Sequence, residues 1–195
     1  MASARWAFSL TKLQDGRVLA VGGFDASGAS ATRQASAEIF NPTTRSWTPV
    51  ASLNEGRAWH EAQLLPSGRV LVVGGENQAG DVLASSELYD PATNTWASGP
   101  RLPEGAEDMA SLVLPSGRVL VAGGFGRSME STMSSIDQVN LYDESADCWQ
   151  PLPPLNTARW HFGLVRLPNG RIMAPGGWTD RGPTTSVEVS SMALD

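Results

Sequence analysis

The chain has 195 residues, of which 41% are hydrophobic, and its 20 glycines and 13 prolines supply many turns. This composition is typical of a folded, β-rich domain and excludes the disordered class. A formal net charge of −6 excludes a broad basic surface, so we expect no nucleic-acid partner.

The sequence also excludes a membrane-spanning segment and a disulfide within the chain. The longest apolar runs, such as the four residues 70–73, are far shorter than the roughly 20 residues that cross a bilayer, so no membrane insertion is predicted. Cys148 is the only cysteine, so no disulfide can form within the chain. It precedes Trp149 in a strand-like segment, and we interpret it as an ordinary strand residue rather than a nucleophile.

A pair of glycines recurs four times along the chain. The pairs are Gly22-Gly23, Gly74-Gly75, Gly123-Gly124 and Gly176-Gly177, at spacings of 52, 49 and 53 residues. A period of about fifty residues is the length of one four-stranded propeller blade, a unit that buries its apolar faces only against its neighbours. The sequence therefore predicts an all-β propeller fold of four-stranded blades in a single domain.

Each repeat begins with two predicted strands joined by a tight turn. The turn dipeptides are Asp15-Gly16, Ser67-Gly68, Ser116-Gly117 and Asn169-Gly170. Glycine accepts the positive φ that such turns require. The second strand is a continuous apolar run such as residues 18–21, which indicates burial on both faces. The glycine pair ends this strand and, lacking a Cβ, allows neighbouring backbones to approach closely.

A third strand and a tryptophan-bearing fourth strand complete the repeat. The third strands are predicted at 37–40, 86–89, 139–142 and 187–189, and the turns after the first three are Asn41-Pro42, Asp90-Pro91 and Asp143-Glu144. Trp47, Trp96 and Trp149 lie in the fourth strands, where we expect their rings to pack between blades. No tryptophan strand follows Val189.

In this order the features resemble the kelch repeat: a glycine pair closing an apolar strand, an aromatic-Asp/Asn-Pro turn, and a tryptophan about six residues later. The resemblance covers essentially the whole chain, as repeats at 5–53, 54–103, 104–155 and 156–195. Kelch repeats imply a β-propeller, typically of six or seven blades. Here three blades are complete and the fourth lacks its outer strand, so we expect either an excerpt of a longer propeller or a small, imperfectly closed ring.

The fourth repeat is predicted to be the least regular. The four residues before Arg5 are too few to supply its outer strand, although a terminus commonly completes the last blade of a propeller. Pro175 stands where the other repeats have Val21, Val73 and Ala122, and it removes a hydrogen-bond donor from the second strand.

A structural ion pair is predicted within three of the repeats. Arginine recurs eleven residues before the turn glycine, and glutamate recurs in the third strand; the pairs are Arg5 with Glu38, Arg57 with Glu87, and Arg159 with Glu188. The third repeat has Ala106 and Asn140 at these positions, so both charges are lost together. We infer that each arginine pairs with the glutamate of its own blade and stabilises it, with no role in catalysis.

Candidate ligand-binding residues are those that differ between repeats at one edge of the blades. In an antiparallel blade, the loop after the second strand and the linker between blades leave the same edge, so both sets should converge on one rim. The candidates are Phe24, Asp25, Trp59, His60, Glu76, Asn77, Phe125, Arg127, Trp160, His161, Trp178, Asp180 and Arg181. Aromatic faces beside charged groups suit a sugar or a peptide.

No cofactor and no metal site is predicted. His60 and His161 lie three and two residues after the arginine of their repeats, so we do not expect them to form a symmetric pair of metal ligands. Glu104, Glu107 and Asp108 could act as paired carboxylates, but we interpret them as a solvated linker.

We expect a non-catalytic binding module that presents its variable loops to a protein or glycan. One alternative is a carbohydrate-active kelch enzyme, such as an epimerase, a lyase or an oxidase. The oxidase reading is disfavoured because a copper site of that kind needs tyrosine ligands, and the only tyrosines, Tyr89 and Tyr142, occupy scaffold positions. The other alternative is a structural part of a larger propeller, which makes further blades of a longer chain the partner.

Overall fold

All regular structure in the described part of the chain is β-strand, as predicted. The computed structural model describes residues 1–25, 31–127 and 132–195, and within them the main strands form four antiparallel sheets that follow one another along the chain. No helix long and apolar enough to cross a membrane occurs in this described part of the chain.

Three of the sheets have four strands in sequential order. Sheet 1 comprises β1 (Ser9–Lys12), β2 (Val18–Val21), β3 (Ala37–Asn41) and β4 (Ser46–Val50). Sheet 2 comprises β5 (Glu61–Leu64), β6 (Val70–Val73), β7 (Ser86–Asp90) and β8 (Thr95–Ser98). Sheet 3 comprises β9 (Ala110–Val113), β10 (Val119–Ala122), β13 (Val139–Asp143) and β14 (Cys148–Leu152), with a hairpin of β11 (Phe125–Arg127) and β12 (Met133–Ser135) inserted after β10.

Sheet 4 has three strands in the described residues. They are β15 (Val165–Arg166), β16 (Ile172–Pro175) and β19 (Val187–Val189), and a short hairpin of β17 (Trp178–Thr179) and β18 (Gly182–Pro183) lies between the last two. The fourth strand is absent here, and β15 is only two residues long. Sheet 4 is thus the least regular of the four.

Neighbouring sheets pack through their faces, and their inner strands lie side by side. β1 contacts β5, and β5 contacts β9. Sheets 1 and 2 enclose a core that contains Leu19 and Val70, and sheets 2 and 3 enclose one that contains Leu71 and Val119. Val70 and Leu71 are adjacent and point to opposite neighbours, which explains why the second strands are uninterrupted apolar runs.

The glycine pairs lie where successive sheets come closest. At Gly74 the backbone has φ of +70°, and a Cβ built there would lie 2.4 Å from the carbonyl oxygen of Ala106, at the start of the next sheet. The following amide, that of Gly75, donates a hydrogen bond of 2.9 Å to the same carbonyl. Glycine is therefore required both for the left-handed backbone and for the contact between sheets.

The three arginine–glutamate pairs form inside their own sheets. The guanidinium of Arg57 has no exposed area and donates hydrogen bonds to Gly74 O, to the Ser85 carbonyl and hydroxyl, and to Glu87 Oε1 at 3.0 Å. The matched ion pairs measure 2.9 Å from Arg5 to Glu38 and 2.7 Å from Arg159 to Glu188. Each pair ties the linker before its sheet to the second and third strands.

Sheet 3 replaces this ion pair with neutral groups. Asn140 takes the place of the glutamate and donates to Gln138 Oε1 at 2.9 Å, and Gln138 donates to the Glu104 carbonyl at 3.4 Å. Ala106, at the arginine position, is fully buried. The two charges are thus absent from the same sheet, and an amide pair keeps the third strand connected to the linker.

Candidate functional site

A band of backbone pairs forms one edge of all four sheets, and we call it the rim. In each sheet the residue after the arginine position pairs with the residue after the glycine doublet. The four rungs are Trp6 with Phe24, Ala58 with Glu76, Glu107 with Phe125, and Trp160 with Trp178. The structure therefore brings the loops and the linkers together at one edge, where the candidate residues were expected.

A second set of rim residues links one sheet to the next. Ala7, Trp59, Asp108 and His161 occupy the same register, and all four have φ near +52°. Their backbones form a continuous series, because each of the last three amides donates to the carbonyl of the one before, at 3.0, 2.9 and 3.1 Å. Left-handed backbone at non-glycine residues costs about 1–2 kcal/mol each, so the packed sheets hold these side chains in a defined direction.

An aromatic cluster occupies the part of the rim that belongs to sheets 1 and 2. The rings of Trp6 and Phe24 are stacked with centroids 4.4 Å apart, and Trp59 meets Phe24 edge-on at 4.7 Å. Arg33 lies over the Phe24 ring, with its Cζ 4.8 Å from the ring centre. Phe24 is buried beneath these neighbours, whereas Trp6 is exposed. Phe24 therefore packs beneath the surface, and the Trp6 ring is accessible to a ligand.

Carboxylates occupy the centre of the rim. Arg33 forms an ion pair with Glu76 at 2.5 Å. Burial, reinforced by the charges of Glu76 and Asp108, raises the pKa of Glu107 to about 7, and Glu107 Oε2 has no hydrogen-bond partner among the described residues. The interpretation of Glu107 and Asp108 as a solvated linker is therefore wrong, because both side chains are half-buried and face other rim groups.

A second aromatic cluster lies on the side of sheets 3 and 4. Trp160 is within 6.0 Å of Trp178 and 5.5 Å of Phe125, measured between ring centroids. Trp178 is 44% exposed. His161 is exposed as well, and its Nδ1 lies 2.9 Å from the Asp108 carboxylate. The Asp108 carboxylate therefore orients the exposed imidazole of His161.

His60 is the rim candidate that lies elsewhere. It is only 6% exposed and lies between sheets 1 and 2, where its Nε2 is 2.9 Å from the hydroxyl oxygen of Ser9. Phe8, Met109 and Phe162 occupy the same position in the other repeats and also pack against a glycine pair. Burial and the nearby Arg57 charge lower the pKa of His60 to about 3, so the ring is neutral and serves as packing.

The remaining candidates lie in the loops beside the rim and mostly organise them. Asp25 accepts hydrogen bonds from the Thr32 amide and hydroxyl, and Asn77 donates to Glu55 at 2.8 Å. Asp180 accepts from the amide and hydroxyl of Ser135, which ties the loop of sheet 4 to the hairpin of sheet 3. Two arginines at this edge, Arg127 and Arg181, are exposed.

Two rim features were missed by sequence reasoning. The positions matched to Arg33 hold Val82, Ser135 and Pro183. Because the loops before these positions differ in length, the repeat alignment carried no signal for Arg33. Glu61 is in β5, and its Oε2 accepts a hydrogen bond from Ser111 in β9 at 2.5 Å. Burial raises the pKa of Glu61 to about 7. The positions matched to Glu61 hold Ser9 and Ala110, so their difference was a signal that could have been followed.

Both tyrosines of the chain serve the scaffold. In the described part of the chain, no three His, Cys, Asp or Glu side chains are grouped as metal ligands would be. The hydroxyls of Tyr89 and Tyr142 donate to Asn94 at 2.9 Å and to Asp147 at 3.2 Å, so both tyrosines close turns of the scaffold. What the rim offers is aromatic surface, carboxylates and one exposed imidazole.

Comparison with known proteins identifies the repeat. The family described as the Kelch motif matches residues 13–54 and 66–103, which cover the second, third and fourth strands of sheets 1 and 2. A comparison with curated proteins gave no match.

Proposed function

Because the chain belongs to the kelch repeat family, whose repeats generally mediate protein binding, we propose that it is a non-catalytic module that binds a protein partner through the rim. One observation carries this proposal. The scaffold positions repeat from sheet to sheet, whereas the rim position with left-handed backbone holds a different residue in every sheet. Its residues are Ala7, Trp59, Asp108 and His161, and none of them is buried.

The chemistry of the rim supports a protein ligand. Exposed rings at Trp6 and Trp178 flank a central set of carboxylates that includes Glu107 and Asp108. Tryptophan is among the residues that contribute most to the binding energy of protein interfaces. The rim backbone is held by hydrogen bonds within and between sheets, so little ordering entropy is lost when a partner binds. A glycan ligand is the alternative that the same aromatic faces would suit.

Site-specific photo-crosslinking tests this proposal. A benzophenone amino acid is placed at Trp178 on the rim or, as a control, at Gln150, an exposed residue of the outer strand β14. The purified chains are irradiated in an extract of the source organism. We expect discrete protein adducts from position 178 and none from position 150. Equal adducts from both positions, or glycan binding on an array without any protein adduct, would contradict it.

A structural role in a larger propeller is favoured by a different observation. In sheets 1 to 3 the face toward the next sheet is buried, and Ile39, Leu88 and Leu141 are 3–5% exposed. The matched residue in sheet 4, Val189, is 39% exposed, and Val187 beside it is 57% exposed. This face of sheet 4 has the composition of a face between sheets but no described sheet covers it.

Solution mass measurement tests the structural role. If another kelch sheet normally covers sheet 4, the isolated chain should self-associate through this apolar face as its concentration rises. Replacing Val187 and Val189 by aspartate should keep it monomeric in light scattering. The matched control is Thr48→Asp with Gln150→Asp, on the outer strands. A wild-type chain that stays monomeric at millimolar concentration would contradict the structural role and leave the rim proposal unaffected.

A further inference from the structure

A cleft between sheets 3 and 4 lies where the other sheet pairs contain a tryptophan. Trp96 of β8 packs into the core between sheets 1 and 2, and Trp149 of β14 packs into the core between sheets 2 and 3. No fourth strand belongs to sheet 4 among the described residues, and a cavity occupies the equivalent place. Its lining includes Leu152, Pro153, Leu164, Ile172 and Val189.

The cleft also contains a backbone carbonyl at the position that binds the indole nitrogen in the other sheet pairs. The indole nitrogen of Trp96 donates to the Ala51 carbonyl at 2.8 Å, and that of Trp149 donates to the Pro100 carbonyl at 3.1 Å. These carbonyls come four residues after the tryptophan of the preceding sheet. The residue four positions after Trp149 is Pro153, which lines the cleft. No described residue donates a hydrogen bond to the Pro153 carbonyl.

The open edge of sheet 4 lies beside this cleft. β19 pairs with β16 on one side only, whereas β3, β7 and β13 each pair with a fourth strand on the other side. Ser190 follows β19 at the position held by Tyr89 and Tyr142 in sheets 2 and 3. Those tyrosine rings lie 4.9 and 5.2 Å from the neighbouring tryptophan. The small serine widens the cleft further.

We propose that this cleft binds an extended segment that adds a fourth strand to β19 and inserts a tryptophan side chain between sheets 3 and 4. The added strand runs antiparallel to β19, with its tryptophan opposite Ser190. Its indole N–H donates to the Pro153 carbonyl, and its ring packs on Leu152 and Ile172. Main-chain pairing with a sheet edge supplies affinity, and the pocket for one side chain supplies specificity. The site is separate from the rim and does not rest on the proposed function.

The chain's own sequence provides the probe. A fluorescein-labelled peptide with the sequence of residues 93–103, which contains Trp96, is titrated with the full chain while anisotropy is measured. We expect saturable binding, weakened about tenfold or more when the peptide's tryptophan is replaced by alanine. Equal binding of both peptides would overturn the proposal, because an edge alone would then account for it.

A pair of chain variants locates the binding. Leu164→Trp fills the cleft and should abolish peptide binding. Leu10→Trp is the matched control, because Leu10 has the same register in sheet 1 and lies outside the cleft. Peptide binding that survives Leu164→Trp unchanged would contradict the site.

A fusion protein tests the cleft without relying on Leu164→Trp, in case that variant does not fold. A copy of residues 90–103 appended after Asp195 should raise Tm by about 4 °C or more, and the same extension with its tryptophan replaced by alanine should not. Stabilisation by the tryptophan extension alone supports the site even if the free peptide binds weakly. The proposal would be overturned if the peptide showed no saturable binding up to about 1 mM and the two extensions had the same Tm.

Discussion

Arg57 illustrates how a charged side chain serves the scaffold. Its guanidinium is fully buried, and its donors are shared among Gly74, Ser85 and Glu87. Burial lowers the pKa of Arg57, and the Glu87 carboxylate opposes that shift. Glu87 in turn accepts from Asn54 at 2.8 Å. A buried pair of this kind is destabilising to break on one side and tolerable to replace on both.

The neutral residues of sheet 3 provide a replacement for the ion pair of sheet 2, and this replacement tests the interpretation. Arg57→Ala should lower the free energy of unfolding by about 3–5 kcal/mol, because Glu87 loses its charged partner in a buried site. Adding Ser85→Gln and Glu87→Asn reproduces the set found in sheet 3 and should recover most of that loss. Urea denaturation measures both variants. A triple variant as unstable as the single one would show that the arginine is needed for another reason.

Glu107 is the rim residue whose protonation is most coupled to folding. Its pKa is raised to about 7 by burial and then by Glu76 and Asp108, above the ordinary value of 4.5. Between these two values the folded chain binds more protons than the unfolded chain, so stability falls as pH rises through this window. Above pH 7 the full penalty of the buried charge is present.

Glu107→Gln should remove that penalty. At pH 8 the variant should be more stable than the wild type by about 1 kcal/mol, a figure reduced for the partial exposure of the side chain. At pH 4.5 the two should be equally stable. Glu104→Gln, which changes the net charge equally in the same linker, is the control and should not show this pH dependence. A Tm difference between Glu107→Gln and the wild type that is independent of pH would contradict the assignment.

At the scale of elements, glycine is required in the pairs for two reasons: a left-handed backbone and a close contact with the next sheet. Two positions separate these reasons. Gly74 and Gly176 have left-handed backbones, with φ of +70° and +61°. A Cβ at Gly74 would meet the next sheet at 2.4 Å, whereas the closest atom to one at Gly176 is 3.6 Å away. Only the first site therefore joins two sheets.

Alanine at the two positions measures the difference. Gly176→Ala should cost about 1–2 kcal/mol from the left-handed backbone alone. Gly74→Ala should cost about 1–3 kcal/mol more, because the sheets must also separate or shift. Chemical denaturation of both variants gives the comparison. Equal losses would mean that the contact between sheets 2 and 3 contributes nothing at this point.

The repeats made the elements predictable and left the rim chemistry largely hidden. Strand positions, the arginine–glutamate partners and the missing fourth strand of sheet 4 all follow from features that recur at a fixed period. His60 could not be placed, because one residue of register separates an exposed side chain such as His161 from one buried between sheets. The interpretation of Glu107 as a solvated residue failed for a related reason, because the charges that act on it include Glu76 and Arg33, which come from other repeats.

At the scale of the molecule, one constant scaffold carries one variable surface. Hydrogen bonds between the left-handed residues Ala7, Trp59, Asp108 and His161 join the four sheets along the rim. The same stacking leaves sheet 4 with an exposed face and an open edge. The rim is thus a site distinct from the two unpaired surfaces of sheet 4, and rim variants should act independently of variants in sheet 4.

Calorimetric titration of the partner captured by crosslinking tests the rim most directly. The variants are Trp178→Ala and His161→Ala on the rim, with Gln150→Ala on β14 as the control. We expect each rim variant to weaken Kd by about tenfold or more and the control to change it by less than about twofold. Equal affinity of the wild type and both rim variants would contradict the assignment of the rim as the binding surface.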